Sequence, residues 1–395
     1  MQFTTTLGDF QKALAKTLPA IPRKSTIPIL EHLSFSLTGN SLDIVATDQE
    51  ITVKTTLRVD GIEDGKVLVP AKIINDITKA LKNIDSFEFV SKDVDFSITL
   101  KTASAKYTMK GIDPDEYLNI PELFQSEKPE YTNVDSNIDF LSPTDSVIYF
   151  KNDDIVQLAN RTSFAVSHDE YRPAMNGVLI HYKDNNLYGV ATDSFRLSRY
   201  KSNPIKVQNI DEMNVILPLR AIELLKRFDE DVVMSFIRSK NKITHIRFDV
   251  GDTVALTRII DEKFPPYETV IPIQPEKSVT FMLKEMLDSL RRVAIFSNTQ
   301  SNHIKLLLEN ERMTILANDE DLGKEGQEII SCKYNGEQAT IGFNHKYLIE
   351  MIQNLDNDDD EYELMIAFNQ TNRPVILKPN TDDDTIIMIL MPVRS

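Results

Sequence analysis

Two patterns of hydrophobic and polar residues run along the chain. The first is alternation over residues 50–59, 87–90 and 96–101, segments that are rich in β-branched and aromatic side chains. Alternation of this kind predicts strands with one buried and one solvated face.

The second pattern places apolar residues at helical spacing. It predicts helices over residues 9–18, 153–164 and 283–294, each with one apolar stripe. A chain that mixes such helices with alternating strands belongs to the α+β class, with helices packed on one face of antiparallel sheets.

One strand-and-turn motif occurs three times. An apolar strand runs into Ala-(Thr/Asn)-Asp at Ala46, Ala191 and Ala317, so the copies are 145 and 126 residues apart. A second motif, a short strand that leads into an amphipathic helix, repeats at spacings of 148 and 125, at Pro70, Pro218 and Phe343. Because two independent motifs repeat at nearly the same distance, we predict three domain-sized repeats.

The domain boundaries follow from charge and proline. Linkers are expected at residues 125–136 and 261–275, where both gather. We place the domains at residues 1–135, 136–268 and 269–395. The longer first spacing suggests an extra segment in the middle repeat, from Pro143 to Lys151.

Composition narrows the class of protein. The chain has 395 residues, 41% hydrophobic and 26% charged, as expected of folded domains with hydrophobic cores. It has neither a run of about 18 apolar residues nor a secretory signal. The single cysteine, Cys332, cannot form an internal disulfide and is expected to be a buried thiol. We therefore expect a cytoplasmic protein without a membrane span.

The formal net charge of −16 argues against nucleic acid as a partner if the charge is evenly spread. A sum does not describe a distribution, however. Acidic residues gather in segments such as 356–361 and 382–384, whereas lysines and arginines recur on the predicted helices.

Several catalytic and metal-binding patterns are absent. Ser167, His168 and Asp169 are adjacent in sequence, which does not make a triad, because a triad needs side chains that converge in space. An EF-hand loop that began at Asp356 would need Gly at its sixth position and an acid at its twelfth, but Glu361 and Ala367 stand there. The histidines have no metal-ligand spacing, and no nucleotide-binding loop is present. We expect no enzyme activity, no metal and no cofactor.

Seven short segments, in order, resemble the bacterial sliding clamp family, the β subunit of the replicative DNA polymerase. The resemblance covers the whole chain, and its segments are 26–30, 69–72, 172 with 176–179, 191–197, 264–267, 342–344 and 391–394. It implies three similar domains per chain and two chains that close head to tail into a ring. Helices would line the hole and sheets would lie outside.

The family implies partners rather than a reaction. Its members slide on duplex DNA without sequence preference and hold the replicative polymerase to it. The clamp loader, other polymerases and repair proteins bind through short peptide motifs. The leading hypothesis is therefore a processivity factor. The alternative is a repeat-built scaffold that binds peptides but not DNA, and an acyl hydrolase around His168 is a remote third.

Cations at spacings of seven and four residues suggest a DNA-facing surface. Lys72 and Lys79, for example, are about two helical turns apart and share a face. Lysine and arginine attract phosphate independently of sequence. The predicted DNA-facing residues are Lys12, Lys16, Lys24, Lys72, Lys79, Lys82, Arg172, Arg220, Arg227, Lys284 and Arg291.

The resemblance also implies a cleft between the second and third domains that takes a partner's peptide. Apolar and aromatic walls with a few polar groups suit an extended peptide with apolar anchors. The matched positions are Met175, Thr192, Ser194, Phe195, Leu197, Pro265, Val270, Asn344, Tyr347, Pro374, Ile389, Met391, Pro392, Val393 and Arg394.

This sequence departs from the family at three places near the cleft. Ser194 stands where many members have Gly, Thr269 where some have a basic residue, and the sequence stops at Ser395 where relatives carry a bulkier residue. These departures affect the peptide preference.

Ring closure is expected to involve Ile73 and Tyr107 on one chain and Ile295 and Phe296 on the other.

Comparison of the three motif copies points to one residue above all. We pair Phe195 with Gln49 and Glu320, and Leu197 with Ile51 and Leu322. Phe195 is thus aromatic where its counterparts are polar, so we expect it to form a partner-binding wall.

Overall fold

The structure is a computed structural model of the chain. It describes residues 1–22, 24–117, 129–134, 137–140, 142, 146–204, 206–240, 242–355 and 359–393. The predicted cleft residue Arg394 lies outside the described residues, as do Pro143, Ser395 and part of the acidic segment 356–361.

Six α-helices occur in the described part of the chain. They are α1 (Leu7–Thr17), α2 (Ala71–Ala80), α3 (Asn152–Ser163), α4 (Leu219–Leu225), α5 (Leu283–Ala294) and α6 (His345–Gln353). The three helices predicted from apolar spacing are confirmed as α1, α3 and α5. The three predicted strand-to-helix motifs are confirmed as the strands that lead into α2, α4 and α6.

The remaining regular structure is β-strand. The first strands are β1 (Gln2–Thr6), β2 (His32–Thr38), β3 (Ser41–Thr47), β4 (Ile51–Arg58), β5 (Asp60–Glu63), β6 (Gly65–Pro70), β7 (Ser86–Ser91), β8 (Ser97–Lys101), β9 (Lys106–Lys110), β10 (Tyr131–Val134), β11 (Asn137–Phe140) and β12 (Val147–Phe150). The middle strands are β13 (Gly177–Lys183), β14 (Asn186–Thr192), β15 (Arg196–Ser202), β16 (Lys206–Gln208), β17 (Met213–Pro218), β18 (Val232–Ser239), β19 (Lys242–Val250) and β20 (Thr253–Arg258). The last strands are β21 (Lys277–Met282), β22 (His303–Glu309), β23 (Arg312–Asp319), β24 (Lys324–Ser331), β25 (Ala339–Asn344), β26 (Glu363–Phe368), β27 (Val375–Pro379) and β28 (Ile386–Leu390).

The chain folds into two compact units. Unit 1 comprises Met1–Ile155, Pro204–Ile210 and Glu223–Ile259, and unit 2 comprises Val156–Asn203, Asp211–Ile222 and Ile260–Ser395. Each unit contains antiparallel sheets, so the predicted α+β class is confirmed.

Unit 1 holds a five-stranded sheet in the order β5-β1-β7-β8-β9 and a nine-stranded sheet in the order β16-β12-β18-β19-β20-β4-β3-β2-β6. In the longer sheet β20 pairs with β4, from Thr253 opposite Thr55 to Thr257 opposite Ile51. Strands of the first and middle repeats therefore form one continuous sheet. Helix α1 packs on β4 and beside α2.

Unit 2 holds an eight-stranded sheet in the order β17-β13-β14-β15-β28-β27-β26-β21 and a four-stranded sheet in the order β24-β23-β22-β25. Here β15 pairs with β28, which places Arg196 opposite Leu390 and Leu197 opposite Ile389. The middle and last repeats thus share a sheet through the strand that follows the middle motif.

Alternating burial produces the cores. Along β22 the apolar residues Ile304, Leu306 and Leu308 point inward and are fully covered. Helix α5 packs on β23 and β24, with Leu283, Met286, Leu287, Leu290 and Val293 buried. Cys332 is buried in the same core, where desolvation raises the pKa of its thiol, so the expected structural role is confirmed.

The predicted extra segment from Pro143 to Lys151 needs correction. Strand β12 precedes α3 just as β1 precedes α1 and β21 precedes α5. Val147–Phe150 is therefore the opening strand of the middle repeat and not an insertion. It was missed because all four of its residues are buried, which removes the alternation that marked other strands.

No helix in the described residues is long and apolar enough to cross a membrane.

Candidate functional site

The middle motif forms a tight turn between β14 and β15. The carboxylate of Asp193 accepts the backbone N–H groups of Phe195 and Arg196 at 2.9 Å each. The Thr192 hydroxyl accepts the N–H of Ser194 at 3.2 Å and donates to the Arg196 carbonyl at 2.7 Å. These bonds satisfy the turn's polar groups and explain why Thr and Asp stand there.

The same turn recurs in the first repeat and corrects the pairing of the copies. The Asp48 carboxylate accepts the N–H groups of Glu50 at 3.0 Å and Ile51 at 2.7 Å. Gln49, with φ 78°, therefore corresponds to Ser194, with φ 76°, and Phe195 corresponds to Glu50. The predicted pairings were therefore one residue out. Leu197 corresponds to Thr52 and not to Ile51, since Thr192 lies opposite Leu197 as Thr47 lies opposite Thr52. Leu322 corresponds to Arg196, because its N–H donates to Asp319 at 3.3 Å as that of Arg196 donates to Asp193. The conclusion that the first copy is polar at the position of Phe195 still holds.

Phe195 lies at the tip of the turn with 56% of its surface exposed. Its ring stacks on that of Tyr347, with the centroids 5.9 Å apart and the planes 18° from parallel. Tyr347 belongs to the first turn of α6, which Asn344 caps by accepting the N–H of Lys346 at 3.0 Å. The cap therefore orients the helix turn that carries the second aromatic ring.

The segment after β28 completes this surface. The N–H of Met391 donates to the Phe195 carbonyl at 2.9 Å, and the N–H of Val393 donates to the Gly342 carbonyl at 2.9 Å. The segment is thus held between the motif turn and β25, with Met391 and Val393 partly exposed. Phe195, Tyr347, Met391 and Val393 are called the cleft surface below.

A buried arginine, missed in the sequence, supports the aromatic pair. Arg196 donates to Glu350 at 2.6 Å, to Asp193 at 3.1 Å and to the Phe164 carbonyl at 2.7 Å. Its guanidinium carbon lies 4.8 Å from the centre of the Tyr347 ring. This cation–π contact holds the face of Tyr347 from below. A charged residue between Phe195 and Leu197 in a strand was the signal that could have revealed it.

Arg172 lies beside the motif turn and not on a helix. Its Nη1 donates to the Ser194 hydroxyl at 2.7 Å, and its Nε lies 3.4 Å from the Asp169 carboxylate. The Ser194 hydroxyl in turn donates to the sulfur of Met175 at 3.4 Å. The structure thus groups Arg172, predicted to face DNA, with the predicted cleft residues Ser194 and Met175.

Three of the predicted cleft residues are buried. Leu197 and Ile389 are 3% and 2% exposed in a core that also contains Phe264 and Tyr267. Thr192 is buried as well, because its hydroxyl serves the turn. These side chains lie in the core beneath the cleft surface and are not accessible to a peptide.

The other predicted cleft residues lie in loops. Val270 is exposed in the turn Tyr267–Val270, and Pro265 precedes that turn. Pro374 immediately precedes β27, whose first residue pairs with Leu390, and Pro392 lies in the segment after β28.

A contact between a histidine and a tyrosine anchors the turn that carries Val270. His181 Nδ1 lies 2.8 Å from the Tyr267 hydroxyl, and both residues are buried. Burial lowers the pKa of His181 and raises the pKa of Tyr267 to about 12, so both side chains are neutral near pH 7.

Three family models match the chain in order. They describe the N-terminal, central and C-terminal domains of the DNA polymerase III beta subunit and match residues 1–121, 150–266 and 268–394. The chain belongs to the beta sliding clamp family. It is a DNA sliding clamp, a processivity factor without catalytic activity of its own.

Curated relatives agree over the full length. The beta sliding clamp of Staphylococcus epidermidis is 27% identical, with 100% of each chain covered. That of Synechococcus elongatus is 27% identical, over 100% of this chain and 99% of the relative.

Solved structures share the fold. A DNA polymerase III subunit beta from Pseudomonas aeruginosa has a TM-score of 0.85 at 24% identity, with both chains covered completely, and another structure of that clamp is bound to griselimycin. The Bacillus subtilis clamp has a TM-score of 0.85 at 22% identity and covers 100% of this chain and 99% of its own.

Apart from Arg172 and Arg220, the predicted DNA-facing cations of this sliding clamp fall into two groups. Some are engaged by acids: Lys16 by Glu230 at 2.8 Å and Asp229 at 3.5 Å, Arg291 by Asp288 at 3.5 Å, and Lys284 by Asp360. Burial lowers the pKa of Lys16, but the hydrogen bond to Glu230 and the two acidic charges outweigh it and raise the pKa.

The second group is exposed and forms no ion pair with any residue that the structure describes. It consists of Lys12, Lys24, Lys72, Lys79, Lys82 and Arg227. On α2, Lys72 and Lys79 are exposed while Ala71, Ile74 and Thr78 are buried. The helix therefore turns its cations away from the core. Arg220 is exposed at the start of α4.

Two of the predicted ring-closure residues of the clamp, Tyr107 and Phe296, lie at sheet edges. Ile73 is exposed on α2, and Tyr107 lies on β9, an edge strand of the five-stranded sheet. Ile295, 70% exposed, and Phe296 follow α5. Phe296 also packs on Gly326 of the edge strand β24, where a Cβ would come within 2.6 Å of its ring.

The Ser167-His168-Asp169 segment is used in a turn. The Ser167 hydroxyl accepts the N–H of Asp169 at 3.1 Å, and the Asp169 carboxylate accepts the N–H of Tyr171 at 3.0 Å and pairs with Arg172. The carboxylate therefore orients Arg172 rather than an imidazole.

Proposed function

We propose that the cleft surface of unit 2 is where this sliding clamp binds the short peptide motifs of its partners. The observation that supports this most directly is the exposed Phe195, stacked on Tyr347 and joined through its backbone to Met391. Exposed aromatic rings fixed from below are the groups that dominate binding energy at protein interfaces. The replicative polymerase, the clamp loader, other polymerases and repair proteins are the proposed occupants.

We further propose that duplex DNA meets the exposed helix cations. Lys12, Lys72 and Lys79 are exposed on α1 and α2. Their attraction for phosphate is independent of sequence and falls with salt. A closed ring needs only weak contacts of this kind, because topology keeps it on the duplex.

Two chains are proposed to close the ring, with the first domain of one chain against the third of the other. Exposed Ile73 and Ile295 support this assignment, since a contact between the chains would remove their apolar surface from water. The proposed domains are residues 1–135, 136–268 and 269–395, and the proposed location is the cytoplasm, where a replicative polymerase works.

The cleft can be tested with griselimycin, the compound bound to the P. aeruginosa clamp. The variant Phe195→Ala removes the exposed ring and should weaken binding by about tenfold or more in isothermal titration calorimetry. Leu322→Ala is the matched control, because Leu322 is also an exposed apolar residue in a turn of unit 2, the turn after the third motif copy.

Unchanged binding by Leu322→Ala is expected. Equal binding by Phe195→Ala and the wild type would contradict the proposed cleft.

A further inference from the structure

Ser194 occupies a backbone conformation that side chains rarely adopt. Its φ is 76°, in the left-handed region that favours glycine. Gln49, at φ 78°, has the same conformation in the first repeat. A glycine would relieve the strain at either position, so a serine at position 194 calls for a compensating role.

The Ser194 hydroxyl uses both of its hydrogen-bonding capacities. It accepts from Arg172 Nη1 at 2.7 Å and donates to Met175 Sδ at 3.4 Å. A hydroxyl has one donor hydrogen and accepting lone pairs, so one small group joins two side chains at once. The Gln49 side chain forms no such bond to any residue in the described part of the chain.

Arg172 and Met175 are the two ends of one short segment. The N–H of Met175 donates to the Arg172 carbonyl at 2.9 Å, which closes the turn Pro173–Met175. The N–H of Ser167 donates to the Met175 carbonyl at 2.9 Å, and Asp169 holds Arg172 from the other side. The backbone fixes the base of the segment, and Ser194 fixes its side chains beside Phe195.

We propose that Ser194 is a positioning residue of the cleft. Its hydroxyl holds Arg172 and Met175 as a preformed side wall, so that a partner peptide meets an ordered surface instead of ordering it on binding. Preorganisation of this kind increases affinity because the cost of ordering side chains is not incurred during association. The proposal rests on the cleft function proposed above.

No common substitute reproduces the hydroxyl in this place. Alanine keeps the strained backbone and loses both bonds. Glycine loses both bonds and relieves the strain. Threonine keeps a hydroxyl, but its branched Cβ is disfavoured at positive φ. The alanine and glycine variants therefore separate the effect of the hydroxyl from the effect of the backbone.

The test measures griselimycin affinity and melting temperature for Ser194→Ala and Ser194→Gly. Both variants should bind griselimycin about three- to tenfold more weakly than the wild type, as expected for loss of hydrogen bonds that fix a wall. Ser194→Gly should nevertheless melt at a higher temperature than Ser194→Ala. Loss of the hydroxyl would thus lower the affinity in both variants, whereas the melting temperature would depend on the backbone conformation. A merely structural role would change affinity and melting temperature together.

Gln49 provides the matched control in the same turn of the first repeat. Gln49→Gly should also melt above Gln49→Ala, but both should bind griselimycin like the wild type.

A second check is a double-mutant cycle. Arg172→Ala combined with Ser194→Ala should weaken binding by less than the product of the two single losses, because the Ser194 hydroxyl acts partly through Arg172 and only its bond to Met175 remains to be lost.

Two results would overturn the proposal. One is wild-type affinity in either Ser194 variant. The other is a double variant whose loss equals the product of the single losses. If Phe195→Ala loses binding while the Ser194 variants keep it, the positioning role is wrong and the cleft stands. If Phe195→Ala binds like the wild type, the cleft itself is contradicted, and the role of Ser194 with it.

Discussion

Arg196 shows how one residue links the core of unit 2 to its exposed surface. The side chain is 8% exposed, and every direction of its guanidinium is used, by Asp193, Glu350, the Phe164 carbonyl and the faces of two aromatic rings. A buried guanidinium is tolerated only with partners of this kind. Because Tyr347 lies against it, the position of the Phe195–Tyr347 pair depends on this cation.

Replacing Arg196 should therefore reduce both stability and griselimycin binding. Arg196→Ala leaves Asp193 and Glu350 without their cation and is expected to destabilise the clamp by about 3 kcal/mol, the lower end for a broken buried pair because Glu350 stays partly exposed. Urea unfolding measures this. Arg292→Ala is the control, because the Arg292 side chain in its ion pair with Glu328 is 60% exposed, and its urea midpoint should hardly change. Equal midpoints for the two variants would show that Arg196 is not a structural cation.

At this scale the sequence identifies residue types but not their directions. Phe195 could be singled out because the middle repeat has an aromatic residue where the other two repeats have a polar one. Arg172 was grouped with the DNA-facing cations because charge alone does not say what a side chain contacts. The correct pairing of Gln49 with Ser194 already follows from counting 145 residues between the motif copies, and the carboxylate bonds of Asp48 and Asp193 agree with it.

Among the elements, the helices were predictable and the sheets were not. Apolar spacing located α1, α3 and α5 to within about two residues, the usual uncertainty of helix ends. The pairing of β4 with β20 joins residues about 200 positions apart, and no local pattern encodes it. Strand β12 escaped because a strand buried on both faces does not alternate.

The edges of the shorter sheets carry the proposed contact between chains. Strands β9 and β24 each lie at a sheet edge, and an unpaired edge is a template for another strand. Ile295→Ala combined with Phe296→Ala removes the exposed apolar side chains beside β24 and should convert dimers into monomers in analytical ultracentrifugation. Ile62→Ala, another exposed apolar residue, should leave the dimer intact. A stable dimer in the double variant would contradict the assignment of this edge.

For the whole molecule, a net charge of −16 is a sum and does not exclude DNA as a partner. Exposed Lys12, Lys72 and Lys79 lie on helices of unit 1, whereas residues 382–384 are one of the segments in which acids gather. The last repeat contributes fewer free cations, since Lys284 and Arg291 are paired with acids. Weak phosphate contacts suit a protein that slides, because strong ones would hold it in place.

The most direct test of the account is retention on DNA with and without free ends. The clamp is loaded onto a nicked circular plasmid with its clamp loader, separated from free protein by gel filtration, and one half of the sample is cut once with a restriction enzyme. The account predicts that the clamp stays with the circle and is lost from the linear molecule, because topology and not affinity retains it. Equal retention on circular and linear DNA would contradict it.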